Sequence, residues 1–200
     1  MEMQYHKDRK ELLKILRGRI LDIGCNKTDI HSDIEKITEN PESEVYGMDA
    51  IMTNYKENVV RADAHRIPFK NEVFDCIFAG EIIEHLIDPA TFLKEIERVL
   101  KNGGLLVLTT PNINSWVYMK MTLRGRKRVE KFSEKFDHIY AWDLVLLRKL
   151  FERSSLNMEI VEMGYSDRGN KIGLLSRFIF KFRPDLAWYI YLVAKKKALR

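Results

Sequence analysis

The sequence predicts an α/β fold with a doubly wound, mostly parallel seven-stranded sheet and helices on both faces. Short apolar runs alternate with amphipathic segments along the chain, as in βαβ units. The runs are nearly continuous in apolar residues, which is typical of strands buried on both faces of a parallel sheet. Acidic or small residues follow several of them, at the strand ends where such sheets bind ligands.

The first predicted elements alternate helix and strand. Residues 8–17 place leucines and isoleucines on one side of a helix, which Gly18 ends. The run RILDIG at 19–24 predicts the first buried strand. A capped helix follows and stops at Asn40-Pro41. The run EVYGMDA at 44–50 predicts the second strand.

The middle of the chain continues this alternation. Residues 58–64 predict a short strand, and residues 74–81 a strand with an apolar centre. The next helix has the clearest signals, because it begins at Pro89, carries one apolar stripe and is followed by Gly103-Gly104. The run LLVLTTP at 105–111 predicts the strand after it.

The remaining residues complete the predicted sheet. Residues 112–140 are predicted to be irregular, and residues 141–156 a helix. Residues 158–165 and 186–196 have the apolar content of the last two strands.

Length and composition predict one domain over residues 1–200. A 46% share of hydrophobic residues is sufficient for one core and excludes a disordered chain. Cys25 and Cys76 are too few for a disulfide scaffold. The charged N-terminal residues do not resemble a secretory signal, and no apolar run reaches the ~20 residues of a membrane span. We therefore expect a cytoplasmic protein, with at most peripheral contact with a membrane.

Positive charge is concentrated in two segments. Residues 116–135 carry a net charge of +5 and residues 171–200 a net charge of +7, in a chain of net charge +5. The rest of the chain is therefore acidic. This pattern indicates a negatively charged substrate or surface, with a solvated basic face as the alternative.

The loop after the first strand, DIGCNKT, indicates a nucleoside ligand without a tightly held pyrophosphate. Gly24 is the only glycine where a dinucleotide-binding loop has three. Asp49, at the end of the second strand, is placed to accept both hydroxyls of a ribose. A turn role for Asp49 is the alternative.

Four motifs, in this order, resemble the class I S-adenosylmethionine-dependent methyltransferases, in particular the ubiquinone-biosynthesis-like, type 11 group. They are ILDIGCNKT, VYGMDA, RADAHRIPFKNEVFDCIFAGEIIEHL and IERVLKNGGLLVLTTPN. The resemblance implies a Rossmann-like methyltransferase fold with an antiparallel last strand. It also implies a cofactor half at 19–112 and substrate-side elements at 1–18, 112–140 and 165–184.

The same resemblance implies S-adenosyl-L-methionine as the cofactor and a set of residues that bind it. Gly24 would be the glycine of close approach, Asp49 the ribose acid, and Asp63 with the backbone of Ala64 the adenine contact. Asn26 and Thr28 stand where the family has further glycines. The implied cofactor-binding residues are Asp22, Gly24, Asn26, Asp49, Ala50, Asp63, Ala64, Gly80 and Glu81.

The run EIIEHL, with a later histidine, predicts a cluster for acid-base or metal chemistry. A helix starting at Glu81 would bring Glu81 and His85 onto one face, near Glu84, and His138 could add a second imidazole. These four residues would suit Mg²⁺, Mn²⁺ or Zn²⁺. Small-RNA 2′-O-methyltransferases and ubiquinone-biosynthesis O-methyltransferases have similar runs. The alternatives are a packing role, or His85 or His138 as a general base without metal.

The acceptor is predicted from the segments outside the cofactor half. Apolar and aromatic residues precede the basic cluster within 116–135, a mixture typical of a segment that lies on an anionic membrane. We therefore expect O-methylation of a small-molecule or lipid-linked acceptor. Two alternatives stay open: an RNA methyltransferase, since aromatic and basic residues also stack on bases, and a nucleoside-binding protein without catalysis. Nucleic acid is the less favoured partner, and the sequence makes no prediction of the oligomeric state.

Overall fold

One mixed sheet organises the computed structural model, which describes residues 6–27, 30–37, 43–51, 58–125, 137–167, 180 and 182–198. Its strands are β1 (His6–Asp8), β2 (Arg19–Ile23), β3 (Glu44–Asp49), β4 (Val59–Arg61), β5 (Phe74–Gly80), β6 (Leu100–Pro111), β7 (Met158–Asp167) and β8 (Tyr189–Lys196). The helices within the described residues are α1 (Arg9–Leu13), α2 (Ile30–Ile37), α3 (Pro89–Val99), α4 (Trp116–Leu123) and α5 (Leu144–Arg153).

The strand order is β1-β7-β8-β6-β5-β2-β3-β4. Strand β8 is antiparallel to both of its neighbours, and the other described pairs are parallel. This confirms the predicted doubly wound, mostly parallel sheet with an antiparallel last strand. The sheet has one strand more than the predicted seven, because the three residues of β1 pair with Tyr165–Asp167 of β7.

Helix α1 begins later and ends earlier than the predicted helix 8–17. The Asp8 carboxylate accepts the Glu11 amide, and the Glu11 carboxylate accepts the Asp8 amide, which is a capping box. This box places the start of the helix directly after β1. The D-x-x-E signal is present in the sequence and marks this boundary.

Helix α3 shows why its sequence signals were reliable. The Asp88 carboxylate caps it by accepting the amides of Ala90 and Thr91, and Pro89 occupies its first position. Its stripe of Phe92, Leu93 and Ile96 is fully buried. The helix ends at Val99, before the predicted end at Gly103-Gly104. Residues 100–104 instead belong to the start of β6.

The core has two parts, one on each face of the sheet. Leucines and isoleucines of α1 and α2 pack on one face, while α3 and α5 cover the other. Alternate residues of β2 show the division, since Ile20 packs with the first cluster and Leu21 and Ile23 with the second. Both faces are therefore buried, which explains the continuous apolar runs.

The segment at 112–140 contains α4, where no helix was predicted. Its apolar residues are spread around the helix and none is buried, so sequence periodicity shows no apolar stripe. Thr28, the basic residues 126–135 and most of the predicted substrate-side segment 165–184 lie outside the described residues. In the part of the chain that is described, no helix is long and apolar enough to cross a bilayer.

Candidate active site

The carboxyl ends of four neighbouring strands meet along one edge of the sheet. Strand register places the end of β2 beside the ends of β3 and β5, and the end of β3 beside β4. The residues that follow these strands therefore line one continuous rim. Gly24, Asp49, Asp63 and Gly80 lie on or next to it, as the sequence predicted.

Gly24 opens this rim to close approach by a ligand. Its φ of +89° lies in the left-handed region that favours glycine, and its amide donates to the Met48 carbonyl at 2.8 Å. A β-carbon at this position would be in ordinary van der Waals contact with the Gly80 carbonyl oxygen at 3.6 Å and with the Ile82 side chain, so the backbone conformation is what favours glycine here. Gly24 itself therefore places no side chain at the end of β2.

Asp49 presents its carboxylate at the next strand end and holds two loops. Its Oδ2 accepts the Asn26 amide at 3.1 Å, and its Oδ1 accepts the Ile51 amide at 2.8 Å. The Asn26 side chain also donates to the Ile51 carbonyl. Each carboxylate oxygen has a second lone pair, so Asp49 can accept further hydrogen bonds from a ligand.

Asp22 does not reach the rim as a free carboxylate. It is buried and hydrogen-bonded to Nδ1 of His31, a residue of α2, at 2.9 Å. Burial raises the pKa of Asp22, and the bond to His31 opposes that rise. This hydrogen bond connects the end of β2, next to Gly24, to helix α2. The sequence indicated no role for His31.

Asp63 continues the rim beyond β4. The Ala62 amide donates to the Asp49 carbonyl at 3.0 Å, which brings the residues after β4 beside Asp49. The Asp63 side chain is 69% exposed, whereas Ala64 is buried in the core. Hydrogen bonds from the backbone and ring of His65 lower the pKa of Asp63. Asp63 is therefore an exposed anion on a fixed turn.

Glu81 departs from the prediction. A helix from Glu81 was expected, but Glu81 has a φ of +55° and the only helical residues here are the short 3₁₀ turn Ile83–His85. The Glu81 carboxylate accepts a hydrogen bond from Thr109 Oγ1 at 3.0 Å. The left-handed backbone of Glu81 is not compatible with a helix that starts at this residue, and Glu81 is not part of the cluster of Glu84, His85 and His138. The expectation that a helix would bring Glu81 into that cluster is therefore wrong.

Glu84, His85 and His138 do come together. Each offers one ligand atom, and these atoms lie within 4.8 Å of one another, the one such group in the described ranges. The rings of His85 and His138 meet edge to face, with centroids 4.9 Å apart. Glu84 is almost fully buried: its Oε2 accepts from Thr110 Oγ1 at 2.8 Å, while its Oε1 has no hydrogen-bond partner among the described residues.

Backbone contacts fix the geometry of this cluster. The Glu84 carbonyl accepts the amides of Ile139 and Tyr140, so the segment that carries His138 is held against the turn that carries Glu84. His85 Nδ1 lies 2.9 Å from the Asp137 carbonyl. A carbonyl only accepts, so Nδ1 of His85 is the donor in this contact, and Nε2 lies on the side of Glu84, 3.9 Å from its Oε1.

Burial sets the protonation of the cluster. Desolvation raises the pKa of Glu84 to about 7. Desolvation, with a contribution from neighbouring His85, lowers the pKa of His138. Near neutral pH His138 is therefore a neutral imidazole that can accept a proton.

Tyr118 of α4 completes the site, although no motif in the sequence indicated a role for it. Its hydroxyl lies 3.3 Å from His138 Nδ1, which joins α4 to the segment at 137–140. Burial raises the pKa of Tyr118 to about 12, so it remains a neutral phenol. Tyr118 and Thr110 reach the cluster through contacts between distant parts of the chain, which no local motif encodes.

The chain is similar in sequence to known methyltransferases. Residues 21–108 match the family model described as "Methyltransferase domain". A ubiquinone biosynthesis O-methyltransferase of Rhodopseudomonas palustris is 26% identical over 151 residues, 70% of this chain and 57% of that protein. A malonyl-[acyl-carrier protein] O-methyltransferase of Legionella pneumophila is 24% identical over 169 residues, 79% of this chain and 58% of that protein. This chain thus spans less than two thirds of the length of these relatives.

The fold itself has solved counterparts. An S-adenosylmethionine-dependent methyltransferase from Mesorhizobium loti superposes with a TM-score of 0.65 at 15% sequence identity, covering 92% of this chain and 95% of that one. At this identity the match establishes the fold alone.

Proposed function

Because this chain belongs to the class I S-adenosylmethionine-dependent methyltransferases, we propose that it transfers a methyl group from S-adenosylmethionine to an oxygen atom of a small-molecule or lipid-linked acceptor. One observation carries the proposal: the rim of Gly24, Asp49 and Asp63 continues past Gly80 into a cluster in which the buried Glu84 lies beside two partly exposed histidines. The first part fits a nucleoside, and the second fits proton transfer from an acceptor.

Each of the proposed cofactor-binding residues would contact a particular part of S-adenosylmethionine. Asp49, with Ala50 beside it, would accept the ribose hydroxyls, and Gly24 would allow the ligand to lie against the backbone. Asp63 and the Ala64 backbone would contact the adenine. Gly80 and Glu81, where β5 ends, would border the methionine part. Asn26 and the buried Asp22 would act through the loop, since both hold it in place.

Few catalytic groups are required for this reaction. Bound at the rim, S-adenosylmethionine would supply an electrophilic methyl group; transfer to the acceptor oxygen would form a C–O bond, break the C–S bond and release S-adenosylhomocysteine. The chain has to align the acceptor and exclude water. His138, neutral near pH 7, would take the proton that the acceptor hydroxyl loses, with His85 beside it as the second candidate base.

The cluster also fits a divalent metal, which we propose as the alternative to a histidine base, because an imidazole nitrogen that binds a metal cannot also accept the proton. The buried Oε1 of Glu84 has no hydrogen-bond partner among the described residues and faces His85. The Nδ1 of His85 contacts the Asp137 carbonyl, and a hydrogen bond of this kind also orients histidines that bind metals. One carboxylate and two imidazoles form a donor set that catalytic Zn²⁺ sites use. Because Glu81 lies outside the cluster, the set is richer in nitrogen than predicted and suits Zn²⁺ or Mn²⁺ better than Mg²⁺. The metal would polarise an acceptor oxygen.

Ligand binding tests the function directly. Titration calorimetry should show binding of S-adenosylmethionine and S-adenosylhomocysteine, and no binding of NAD, whose pyrophosphate the single-glycine loop does not suit. Transfer of a tritiated methyl group to a panel of phenols, catechols and carboxylic acids would then identify the acceptor class. Binding of NAD without binding of S-adenosylhomocysteine would refute the proposal.

We further propose that α4 contacts an anionic membrane near the site. Met119 and Leu123, one turn apart, are 51% and 81% exposed, and Lys120 and Arg124 are exposed beside them. The contact between Tyr118 and His138 places this helix next to the cluster. Apolar side chains flanked by cations are typical of segments that lie at a membrane interface.

Vesicle binding tests this contact. We expect sedimentation with phosphatidylglycerol-containing vesicles and none with pure phosphatidylcholine. Leu123→Asp should weaken binding by about 10-fold, because it removes an apolar side chain worth roughly 1.5 kcal/mol and adds a repelled charge. Val161→Asp, the same kind of change at a half-exposed position on β7, should have no effect. Equal binding to both vesicle types would count against the proposal.

A further inference from the structure

His65 lies between the exposed acid of the rim and the start of α3. Its Nδ1 is 2.7 Å from Asp63 Oδ1, and its Nε2 is 3.2 Å from the backbone nitrogen of Asp88. The His65 amide also donates to Asp63 Oδ1, at 2.9 Å. One histidine thus contacts the proposed adenine acid and the residue that caps the next helix.

The partners of His65 determine its tautomer. The Asp88 amide can only donate, so Nε2 of His65 must be the acceptor and carries no proton. The proton is therefore on Nδ1, which donates to the Asp63 carboxylate. The contact with Asp88 thus determines which ring nitrogen of His65 donates a hydrogen bond to Asp63.

This arrangement orients Asp63. Two hydrogen bonds from His65 converge on Oδ1, and no described residue supplies a hydrogen bond to Oδ2. An exposed carboxylate would otherwise sample several rotamers, and ordering it would cost free energy when a ligand binds. With His65 bound to Oδ1, Oδ2 stays available as the acceptor for a ligand.

We infer that His65 is a positioning residue that pre-orients Asp63 toward the 6-amino group of adenine. The inference rests on the proposed S-adenosylmethionine site and extends it, since it assigns the choice of adenine over other bases to a pair of residues. An amino group donates to Oδ2, whereas the 6-oxo group of hypoxanthine would face it with a second acceptor.

The fold does not depend on His65 for this segment. Arg98 donates to the carbonyls of Ile67 and Phe69, and Glu95 accepts the Ile67 amide, so the turn stays attached to α3 without the histidine. Removal of the His65 ring should therefore change the orientation of Asp63 while the turn and α3 remain in place.

Calorimetry with two ligands provides the test. For His65→Ala we expect S-adenosylhomocysteine to bind about 3- to 10-fold more weakly, the loss typical of one side chain that must be ordered on binding. The affinity for S-inosylhomocysteine should change little, so the ratio of the affinities for the adenine and hypoxanthine ligands should fall. His65→Asn, which keeps a donor near Asp63 Oδ1, should recover part of the loss. In an Asp63→Ala background, His65→Ala should cost nothing further.

The outcomes separate this inference from the function it rests on. Failure of the wild-type chain to bind S-adenosylhomocysteine would refute the proposed function. Normal binding by the wild type together with unchanged affinity of His65→Ala would overturn the inference alone. Equal losses for both ligands, or the same loss in the Asp63→Ala background, would show a structural role and would also overturn it.

Discussion

His138→Ala should lower kcat by about 10²- to 10⁴-fold, the usual contribution of a general base, with the Kd for S-adenosylhomocysteine unchanged. His138 is the partly buried imidazole of the cluster, and its lowered pKa keeps it neutral and ready to accept a proton at neutral pH. It belongs to a segment beyond the cofactor rim, so its loss should not affect nucleoside binding. The measurement is transfer of a tritiated methyl group to the best acceptor of the panel, with calorimetry on the same preparation.

The His65→Ala variant is the control that separates loss of a general base from loss of cofactor binding. His65→Ala should weaken cofactor binding and leave kcat unchanged at saturating cofactor, which is the opposite pattern. Should His138→Ala retain full kcat, the assignment of a base to this cluster would be wrong.

The same assay distinguishes a base from a metal ligand. Glu84→Gln keeps an acceptor for the Thr110 hydroxyl but removes the anionic oxygen from the cluster. If a metal is required, dialysis against a chelator should abolish wild-type activity, Zn²⁺ or Mn²⁺ should restore it, and Glu84→Gln should lose metal binding in calorimetric titration. Full activity of the chelated wild type would eliminate the metal and leave the histidine base.

Asp49→Ala should weaken S-adenosylhomocysteine binding by about 100-fold or more, since two hydrogen bonds to a charged acceptor contribute roughly 1.5 kcal/mol or more each. The variant also releases the amides of Asn26 and Ile51, which adds to the loss by loosening the loop. Calorimetry measures the change directly.

A ligand without ribose hydroxyls provides the control. The 2′,3′-dideoxy analogue of S-adenosylhomocysteine should bind the wild type weakly, and Asp49→Ala should reduce its affinity far less than that of the parent compound. Undiminished binding of the parent by the variant would contradict the ribose assignment and support a turn role for Asp49.

The sequence predicted the central sheet well because the signals there are local. Continuous apolar runs marked β2, β5 and β6, and Pro89 with a buried stripe marked α3. The elements that it missed lack such signals. Strand β1 has three residues and depends on β7 for its partner, and α4 has no buried face.

The site divides in the same way. The positions of Gly24, Asp49 and Asp63 follow from strand ends, which sequence patterns locate. The cluster depends on the Glu84 carbonyl binding amides of a distant segment, and on the left-handed backbone of Glu81, which the helical pattern of EIIEHL did not reveal. Spacing arguments therefore could not identify Tyr118 as the partner of His138, or Thr110 as the partner of Glu84.

The place of β8 between β6 and β7 affects how the chain folds during synthesis. Strands β2 to β6 can pair as soon as they leave the ribosome, but β7 and β1 connect to them only through residues 189–196. Until those residues emerge, β6 and β7 each have an unpaired edge, and unpaired edges are sites of aggregation. Strands β2 to β6, whose ends carry the proposed nucleoside site, can thus pair early, while β7 and β1 join the sheet only after β8 is available.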